Sequence, residues 1–274
     1  MMRRWPGTEK EISKLKDVSA FARTGIARCE RGCGVTYLGE ALAELAKVDT
    51  LPALGQYIGN LREAVGLANM AFHVVNAPRT VEMDPLVLVT YERQWVRQYM
   101  DQDYVRIDPI VVQGASSFLP LDWDDVDRSS TRMRELFTEA ESYGVGRRGL
   151  TLPVRGPGGE KSLLTITTYE SEREWAKRRL SLLRDMHVVA HFIHDRCLSV
   201  SGLRTNSARP RLSRRELQCM RALALGLAPK QIAFELKISI SAVRLYIRSA
   251  KSKLGAANTN QAIATAVQDE HVVV

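Results

Sequence analysis

The sequence predicts an α+β fold class, in which an N-terminal α-β-α sandwich is followed by an all-α domain of four short helices. Three observations indicate this arrangement. At 274 residues the chain is long enough for two domains of the usual size, roughly 100 to 200 residues each. Apolar segments typical of strands lie among helical patterns before residue 200, and the excess positive charge is confined to an all-helical last quarter.

The composition is that of an ordinary globular chain, with 45% hydrophobic and 26% charged residues. The sequence has no run of about 18 apolar residues and no apolar signal segment, so we expect no membrane span and a cytoplasmic location. Four scattered cysteines predict free thiols rather than disulfides. Cys29 and Cys33 form a close pair, but no further Cys or His lies nearby to complete a metal site, so no cofactor is predicted.

Helical and strand patterns alternate through the larger, N-terminal part of the chain. Apolar residues three or four apart indicate helices, whereas short apolar, β-branched runs indicate strands. RGPGGEK, residues 155–161, lacks the spacing of a phosphate-binding loop and leads into a strand, so a hairpin turn is favoured. In chain order the patterns predict helices near residues 37–48 and 51–66, strands at 71–75 and 86–91, a helix from about residue 92, a helix near 130–143, strands at 149–154 and 162–169, and a long helix at about 172–199.

A stripe of aromatic residues marks the helix that follows the second strand. Tyr91, Trp95 and Tyr99 are four residues apart, so they lie on one helical face while the charged residues between them face elsewhere. Such a stripe is usually part of a hydrophobic core, and its spacing alone leaves core or ligand pocket open. Asp108 follows closely, and a carboxylate beside an aromatic face is an unusual core residue unless something pairs with it.

Positive charge is concentrated in the C-terminal quarter of the chain. Residues 209–274 hold 11 Lys and Arg against 4 Asp and Glu, whereas residues 1–208 hold 28 against 27. The polar segment at residues 201–211, with Gly and Pro, predicts a linker at the same boundary. A small, strongly basic domain is typical of nucleic-acid binding, because phosphate neutralisation releases counterions, and a solvated basic surface is the alternative.

Capping signals divide this basic quarter into four short helices, an arrangement typical of a helix-turn-helix domain. Ser213 and Glu216 form a predicted capping box that starts the first helix, and Gly226 ends it. The next three helices are predicted at residues 230–236, from an N-cap at Ser239 to about Leu254, and from Asn258 to about Val267. The third has a basic face opposite an apolar one, as a recognition helix in the major groove would, although a solvated basic helix has the same pattern.

The spacing of a set of residues through the C-terminal quarter resembles a known family pattern. These residues are Leu212, Ser213, Arg215, Glu216, Gly226, Lys230, Ile232, Ala233, Leu236, Ile238, Ser239, Val243, Lys253, Leu254, Asn258 and Ala262. With them the quarter resembles the DNA-binding domain of LuxR-type transcription regulators. Three positions depart from that pattern: Ala242 replaces the usual Thr, Tyr246 a common His, and Met220 a usual Leu. The residues expected to contact DNA are Lys230, Ser241, Arg244, Arg248, Lys251 and Lys253.

Four segments of the N-terminal part follow one another in a recognisable order: YERQWVRQYMDQDYVRIDP (91–109), LPLDW (119–123), GLTLPV and SLLTI. With these segments the chain resembles, over roughly residues 37–200, the autoinducer-binding domain of quorum-sensing LuxR-type receptors. The resemblance implies that Trp95 donates its indole N–H to the lactone carbonyl of an acyl-homoserine lactone and that Asp108 accepts from the amide N–H. Further implied pocket residues are Tyr91 and Thr165 at the acyl carbonyl, Tyr99 and Trp123 packed on the ligand, and Gly149 and Thr151 as small or polar positions.

The expected organisation is an extension of unknown role (residues 1–36), a ligand-binding and dimerisation domain (37–200), a linker (201–211) and a DNA-binding domain (212–274). The resemblance implies a homodimer that binds an acyl-homoserine lactone and double-stranded DNA, and RNA polymerase as a partner if it is an activator. A regulator that answers a different small molecule, or none, is the alternative. An enzyme is not predicted, because the sequence has no H-x-H-x-D or G-x-S-x-G arrangement.

Overall fold

A computed structural model gives the structure of the chain and describes residues 16–17, 34–77, 86–203, 212–268 and 271–272. Most of the extension predicted at residues 1–36, with Cys29 and Cys33, lies outside the described residues, as does most of the predicted linker. The chain divides into two compact units near residue 204, and each is described by itself. Within the described ranges no helix is long and apolar enough to cross a membrane.

The first unit is built on an antiparallel sheet of five strands, β2 to β6, and the two-residue strand β1 pairs in parallel with β3. The order across the sheet is β1-β3-β2-β6-β5-β4. The predicted α+β class is confirmed, although the sequence patterns missed the two shortest strands, β1 and β4. The strands are β1 (Lys16–Asp17), β2 (Asn69–Asn76), β3 (Leu86–Val89), β4 (Leu121–Asp122), β5 (Arg148–Arg155) and β6 (Lys161–Thr168).

In the part of the first unit that the structure describes, six helices flank this sheet, and local capping chemistry sets several of their ends. The long helix begins at a capping box between Ser171 and Glu174, and Gly66 ends another helix in the left-handed conformation with φ +70°. A short helix that the sequence analysis did not predict starts at Pro109. The helices are α1 (Gly34–Ala46), α2 (Leu51–Val65), α3 (Arg93–Asp101), α4 (Pro109–Ser116), α5 (Thr131–Ser142) and α6 (Glu172–Val200).

Alternating side chains divide the first unit into two layers of packing. On β2 and β6, residues such as Phe72, Leu164 and Ile166 are fully buried in a core shared with α1, α2 and α6. The residues between them on the same strands point to the opposite face, because successive side chains of a strand alternate. On that face Trp95 and Trp123 belong to a second cluster with residues of α5. The sheet therefore has helices on both faces, as an α-β-α sandwich requires.

Over residues 212–268 the second unit contains four helices, in agreement with the predicted all-α domain: α7 (Arg214–Ala224), α8 (Pro229–Leu236), α9 (Ile240–Lys253) and α10 (Thr259–Gln268). A capping box between Ser213 and Glu216 starts α7. Small and branched apolar side chains fill the space between the helices. The fully buried ones are Cys219, Met220, Ile232, Val243, Ala250 and Ala262.

Two adjacent leucines of β6 test the division of the sheet into two faces. Leu164→Ala empties a fully buried site in the helical core, so we expect a loss of about 3 kcal/mol in the free energy of unfolding. Leu163→Ala removes a side chain from the opposite face, which borders an existing cavity, and should cost clearly less. Chemical denaturation of both variants measures the difference, and equal losses would contradict the assignment.

Candidate functional site

A cavity of about 140 Å³ lies on the second face of the sheet. This is roughly ten times the space that one water molecule needs, so the cavity is large enough for an organic ligand. Strands β2, β3 and β6 form its floor, and α3, α4 and α5 contribute its walls. Its lining is mostly apolar, and the side chains in it that carry a polar atom are His73, Tyr91, Trp95, Tyr99, Asp108, Trp123 and Thr165.

The strand register arranges the floor of this cavity in two rows. In the first row Ala71 lies between Val89 and Thr165, which are its partners on β3 and β6. In the second row, two residues further along β2, His73 lies between Val87 and Leu163. All six side chains line the cavity. The floor therefore has a hydroxyl in the first row and an imidazole in the second.

The aromatic stripe borders the cavity from α3 and from the segment before it. Trp95 is only 4% exposed, and its ring centroid lies 5.6 Å from that of Tyr99 and 5.7 Å from that of Tyr143. Among the described residues, the Trp95 indole N–H and the Tyr91 hydroxyl have no hydrogen-bond partner. Burial, followed by the nearby charge of Asp108, raises the pKa of Tyr91, so its hydroxyl keeps its proton.

Both carboxylate oxygens of Asp108 accept hydrogen bonds from groups of the protein. Tyr99 Oη donates to its Oδ2 at 2.8 Å, and the Ile110 amide donates to its Oδ1 at 2.8 Å as the N-cap of α4. Burial raises the pKa of Asp108, although hydrogen bonds from Tyr99, Ile110 and Val111 oppose that shift. A carboxylate oxygen can accept more than one hydrogen bond, so Asp108 retains acceptor capacity towards the cavity.

Gly149 and Thr151, two of the other predicted pocket residues, contact the Trp123 ring and fix its position. Its indole N–H donates to Thr151 Oγ1 at 3.1 Å, and Thr151 Oγ1 lies 3.0 Å from Thr165 Oγ1. A Cβ at Gly149 would lie 3.0 Å from the Trp123 ring and 2.6 Å from the Ile166 carbonyl oxygen, so only glycine fits there. Gly149 and Thr151 therefore position the Trp123 ring, whereas the other six predicted residues line the cavity.

Some residues around the cavity were not identified from the sequence. His73 and Leu163 face it through strand alternation, but a hydrophobic run does not show which of its faces borders a cavity. Tyr104 Oη donates to Glu139 Oε2 at 2.7 Å and links the segment after α3 to α5. Burial and this hydrogen bond raise the pKa of Tyr104 to about 12. No sequence signal pairs two residues 35 positions apart.

Helices α8 and α9 form the helix-turn-helix of the second unit. Lys237 takes the left-handed conformation with φ 51° after α8, and Ser239 caps α9 by accepting the Ala242 amide at 3.1 Å. The buried side chains of Ile232 and Val243 pack in one cluster from the two helices. Four of the predicted DNA-contact residues, Lys230, Ser241, Arg244 and Arg248, are exposed.

The two lysines at the end of α9 are engaged with the protein. Lys253 Nζ donates to Glu216 Oε2 at 2.8 Å, and Ser249 donates to the other carboxylate oxygen at 2.6 Å. Lys251 Nζ donates to the Ala257 carbonyl at 3.3 Å. Although burial alone raises the pKa of Glu216, hydrogen bonds from Lys253, Ser249 and Ser213 lower it to about 2. Lys253 thus joins α9 to the start of α7. Its positive charge alone had indicated a contact with DNA.

A unit with an apolar cavity followed by a helix-turn-helix unit defines a class of protein, the ligand-binding transcription regulators. Two family models match the chain: autoinducer binding domain over residues 50–197, and bacterial regulatory proteins, luxR family, over residues 210–266. The chain belongs to the LuxR family of autoinducer-binding, quorum-sensing transcription regulators. It binds an autoinducer through its first unit and DNA through its second, and it is not an enzyme.

Individual relatives agree with this assignment. The transcriptional activator protein RaiR of Rhizobium etli is 47% identical over 180 residues, which cover 66% of this chain and 74% of RaiR. The quorum sensing-dependent regulator VjbR of Brucella abortus is 31% identical over 192 residues, covering 67% of this chain and 73% of VjbR. Among solved structures, Escherichia coli SdiA shares the fold with a TM-score of 0.56 at 19% identity, covering 87% of this chain and 99% of SdiA.

The ion pair of buried Glu216 with half-buried Lys253 predicts a pH-dependent stability of the second unit. The folded pKa of about 2 lies below the unfolded value of roughly 4.3, so ionised Glu216 stabilises fully above that value and its contribution is lost as the pH falls towards 2. Glu216→Gln should lower the free energy of unfolding at pH 7 by about 2 kcal/mol and flatten its change between pH 5 and 3. Hydrogen exchange of the α7 amides at each pH measures both effects.

Arg248→Ala is the control variant for Glu216→Gln. Arg248→Ala should leave the exchange of the α7 amides unchanged, because its side chain is exposed and is not tied to Glu216. Lys253→Met should reproduce most of the effect of Glu216→Gln. If Lys253→Met left the α7 amides as well protected as in the unmodified chain, the stabilising role of this pair would be excluded.

Proposed function

We propose that the autoinducer of this regulator is an acyl-homoserine lactone and that the chain binds a two-fold symmetric DNA site as a homodimer. The observation that carries the ligand assignment is the pairing of an unpartnered indole N–H on Trp95 with the carboxylate of Asp108 at one apolar cavity. A ligand that bonds the Trp95 indole N–H and the Asp108 carboxylate together must carry a hydrogen-bond acceptor and a donor close to each other. An amide next to a lactone ring has both groups.

The polar groups of the cavity match the head of such a ligand. Trp95 donates to the lactone carbonyl, and Asp108 accepts from the amide N–H while it keeps its bonds to Tyr99 and Ile110. Tyr91 and Thr165 serve the acyl carbonyl. Each polar group of a buried ligand that is left unsatisfied costs about 1–3 kcal/mol, so this set selects the chemical class of the head.

The apolar remainder of the cavity suits the acyl chain. Valine, leucine, isoleucine and phenylalanine side chains line it, and none of them can hydrogen-bond a polar group of the ligand. Each buried methylene contributes about 0.8 kcal/mol, so a chain of several carbons contributes more affinity than the polar head. The polar groups then determine the ligand class, and the shape of the cavity determines the chain length.

The homodimer and its DNA site follow from two further surfaces. Helix α6 has a stripe of exposed apolar side chains at Leu180, Val188 and Phe192, which favours pairing with a second copy. A two-fold dimer presents two α9 helices to half-sites about one or more helical turns apart.

We assign ligand binding and dimerisation to residues 37–200, the linker to 201–211 and DNA binding to 212–274. RNA polymerase is a partner if the chain is an activator, and regulation takes place in the cytoplasm, where the DNA lies.

Trp95→Phe tests the ligand assignment because it removes the indole N–H and keeps an aromatic ring. We expect at least a tenfold loss of affinity for octanoyl-homoserine lactone, because the lactone carbonyl loses its donor in a mostly apolar cavity. Competition against a labelled lactone measures the loss. Trp175→Phe is the matched control, since Trp175 is buried in the helical core on the other face of the sheet and should affect stability without affecting lactone affinity.

Two ligand analogues sharpen this experiment. An octanoyl glycerol, the class of ligand present in a solved structure of SdiA, has no amide N–H for Asp108 and should compete more weakly than the lactone. Ring-opened octanoyl-homoserine adds a carboxylate beside Asp108 and should not compete. Equal competition by the lactone and the glycerol ester, together with unchanged binding by Trp95→Phe, would exclude the lactone assignment.

Arg244 and Arg248 test the DNA interface. Arg244→Ala and Arg248→Ala should each weaken DNA binding about tenfold or more, because a lost base contact costs about 1–3 kcal/mol and a lost phosphate contact weakens binding at every sequence. A phosphate contact is recognised by a decrease of about one in the slope of log affinity against log salt. Arg221→Ala, an exposed arginine on α7, is the matched control, and an equal loss there would contradict the assignment of α9.

A further inference from the structure

Two histidines lie four residues apart on the outward face of α6. His187 is half-buried and His191 is exposed, and their ring centroids are 4.9 Å apart. Residues at i and i+4 of a helix lie one above the other, so the two imidazoles project in the same direction. The third histidine of this helix, His194, is buried, and its Nδ1 lies 2.9 Å from Ser162 Oγ. Only the outward pair is accessible to a group from outside the chain.

The nitrogens that this pair presents to solvent are the two Nε2 atoms. His191 Nδ1 lies 2.8 Å from the His187 carbonyl oxygen, which can only accept, so Nδ1 carries the proton and Nε2 of the neutral ring keeps its lone pair. His187 Nδ1 is buried and has no hydrogen-bond partner among the described residues, which leaves Nε2 as the outward nitrogen of that ring. A metal-bound histidine commonly donates its other N–H to a backbone carbonyl, as His191 does.

Two imidazoles make only half of a closed metal site. Imidazole nitrogen is a good ligand for zinc, which takes four nitrogen or sulfur ligands in a tetrahedron, each nitrogen at about 2.0–2.1 Å. Within the described residues, no group of three or more His, Cys, Asp or Glu side chains could hold a metal ion. One copy of this pair therefore supplies two of the four ligands, and a second pair is needed to complete the tetrahedron.

The exposed apolar stripe of α6 indicates where a second pair is found. At about 100° per residue, His191 lies between Leu180 and Val188 around the helix, and Phe192 follows it on the same side. A face that pairs with a second copy through this stripe also carries the two histidines into the interface. A two-fold interface puts the same patch of each copy against its equivalent, so the second copy supplies the second pair of imidazoles.

We propose that His187 and His191 form half of a zinc site that the same two histidines of a second copy complete. The ion joins the two α6 helices, and it satisfies imidazole nitrogens that an apolar interface would otherwise bury without a partner. Zinc binding and dimerisation are then coupled, because an ion that binds only the paired chains shifts the equilibrium towards the dimer. This inference rests on the proposed homodimer and is independent of which autoinducer fills the cavity.

Zinc titration of the untagged full-length chain against a chromophoric chelator tests the site. We expect one bound zinc ion for every two chains. His187→Gln and His191→Gln should each weaken zinc binding about tenfold or more, because losing even a group that only hydrogen-bonds a metal-bound histidine costs about 10–100-fold. His271→Gln is the matched control, since His271 is exposed and lies in the second unit, and it should leave zinc affinity unchanged.

Sedimentation equilibrium with and without zinc tests the coupling to dimerisation. Zinc should strengthen dimerisation of the unmodified chain about fivefold or more, as for two typically coupled binding events, and an excess of chelator should reverse the gain. Dimerisation of His187→Gln and His191→Gln should not respond to zinc. Phe192→Ser removes an apolar side chain from the stripe and should weaken dimerisation both with and without zinc.

These measurements separate the zinc site from the proposed homodimer. Absence of zinc binding, or one ion per chain with unchanged dimerisation, would overturn the zinc bridge, and so would an undiminished zinc response in His191→Gln. Unchanged dimerisation in Phe192→Ser would overturn pairing through α6 and the bridge with it. Weaker dimerisation in Phe192→Ser without any effect of zinc on the unmodified chain would leave the homodimer in place and remove only the zinc site.

Discussion

The two-residue period of the central strands is the constraint on which the ligand-binding unit depends. On β6, Leu164 and Ile166 enter the helical core, so Leu163 and Thr165 must face the cavity. A shift of one residue in strand pairing would exchange the two faces and put the cavity floor into the core. The packing of the helical core therefore fixes the positions of the polar groups in the cavity. Stability and ligand recognition share the same strands and differ only in the face that they use.

Asp108 has a comparable double role on the opposite wall. It caps α4 through the Ile110 amide and accepts the Tyr99 hydroxyl, and the same carboxylate borders the cavity. These bonds keep a buried acidic group in place, whereas burial opposes its ionisation. A ligand N–H that bonds Asp108 adds to an existing network, so it needs little rearrangement of the protein. The carboxylate that is unusual in an aromatic core is thus part of the helix start and of the cavity wall at once.

The sequence predicted the class of the protein and most of its helices, because these depend on local patterns. Trp95 and Asp108 were identifiable since helical spacing and an unusual buried charge are both visible in a short segment. His73 was not, because its position in the cavity depends on the register of β2 against β3 and β6. Lys253 is basic, as a DNA-contact residue would be, but its ammonium group donates to Glu216, 37 positions away in the chain. Short elements such as α4 have too few residues for a periodic signal.

Occupation of the cavity links ligand binding to the stability of the first unit. An apolar cavity of this size costs the folded state on the order of a few kcal/mol, because its lining side chains lack contacts on one side. A ligand that fills the cavity removes this cost, and it stabilises the fold by RT ln(1 + [L]/Kd). Such a ligand would contact α3, α4 and α5, since all three contribute to the cavity wall. The gain in stability therefore falls on the second layer of packing, and its size depends on the ligand concentration.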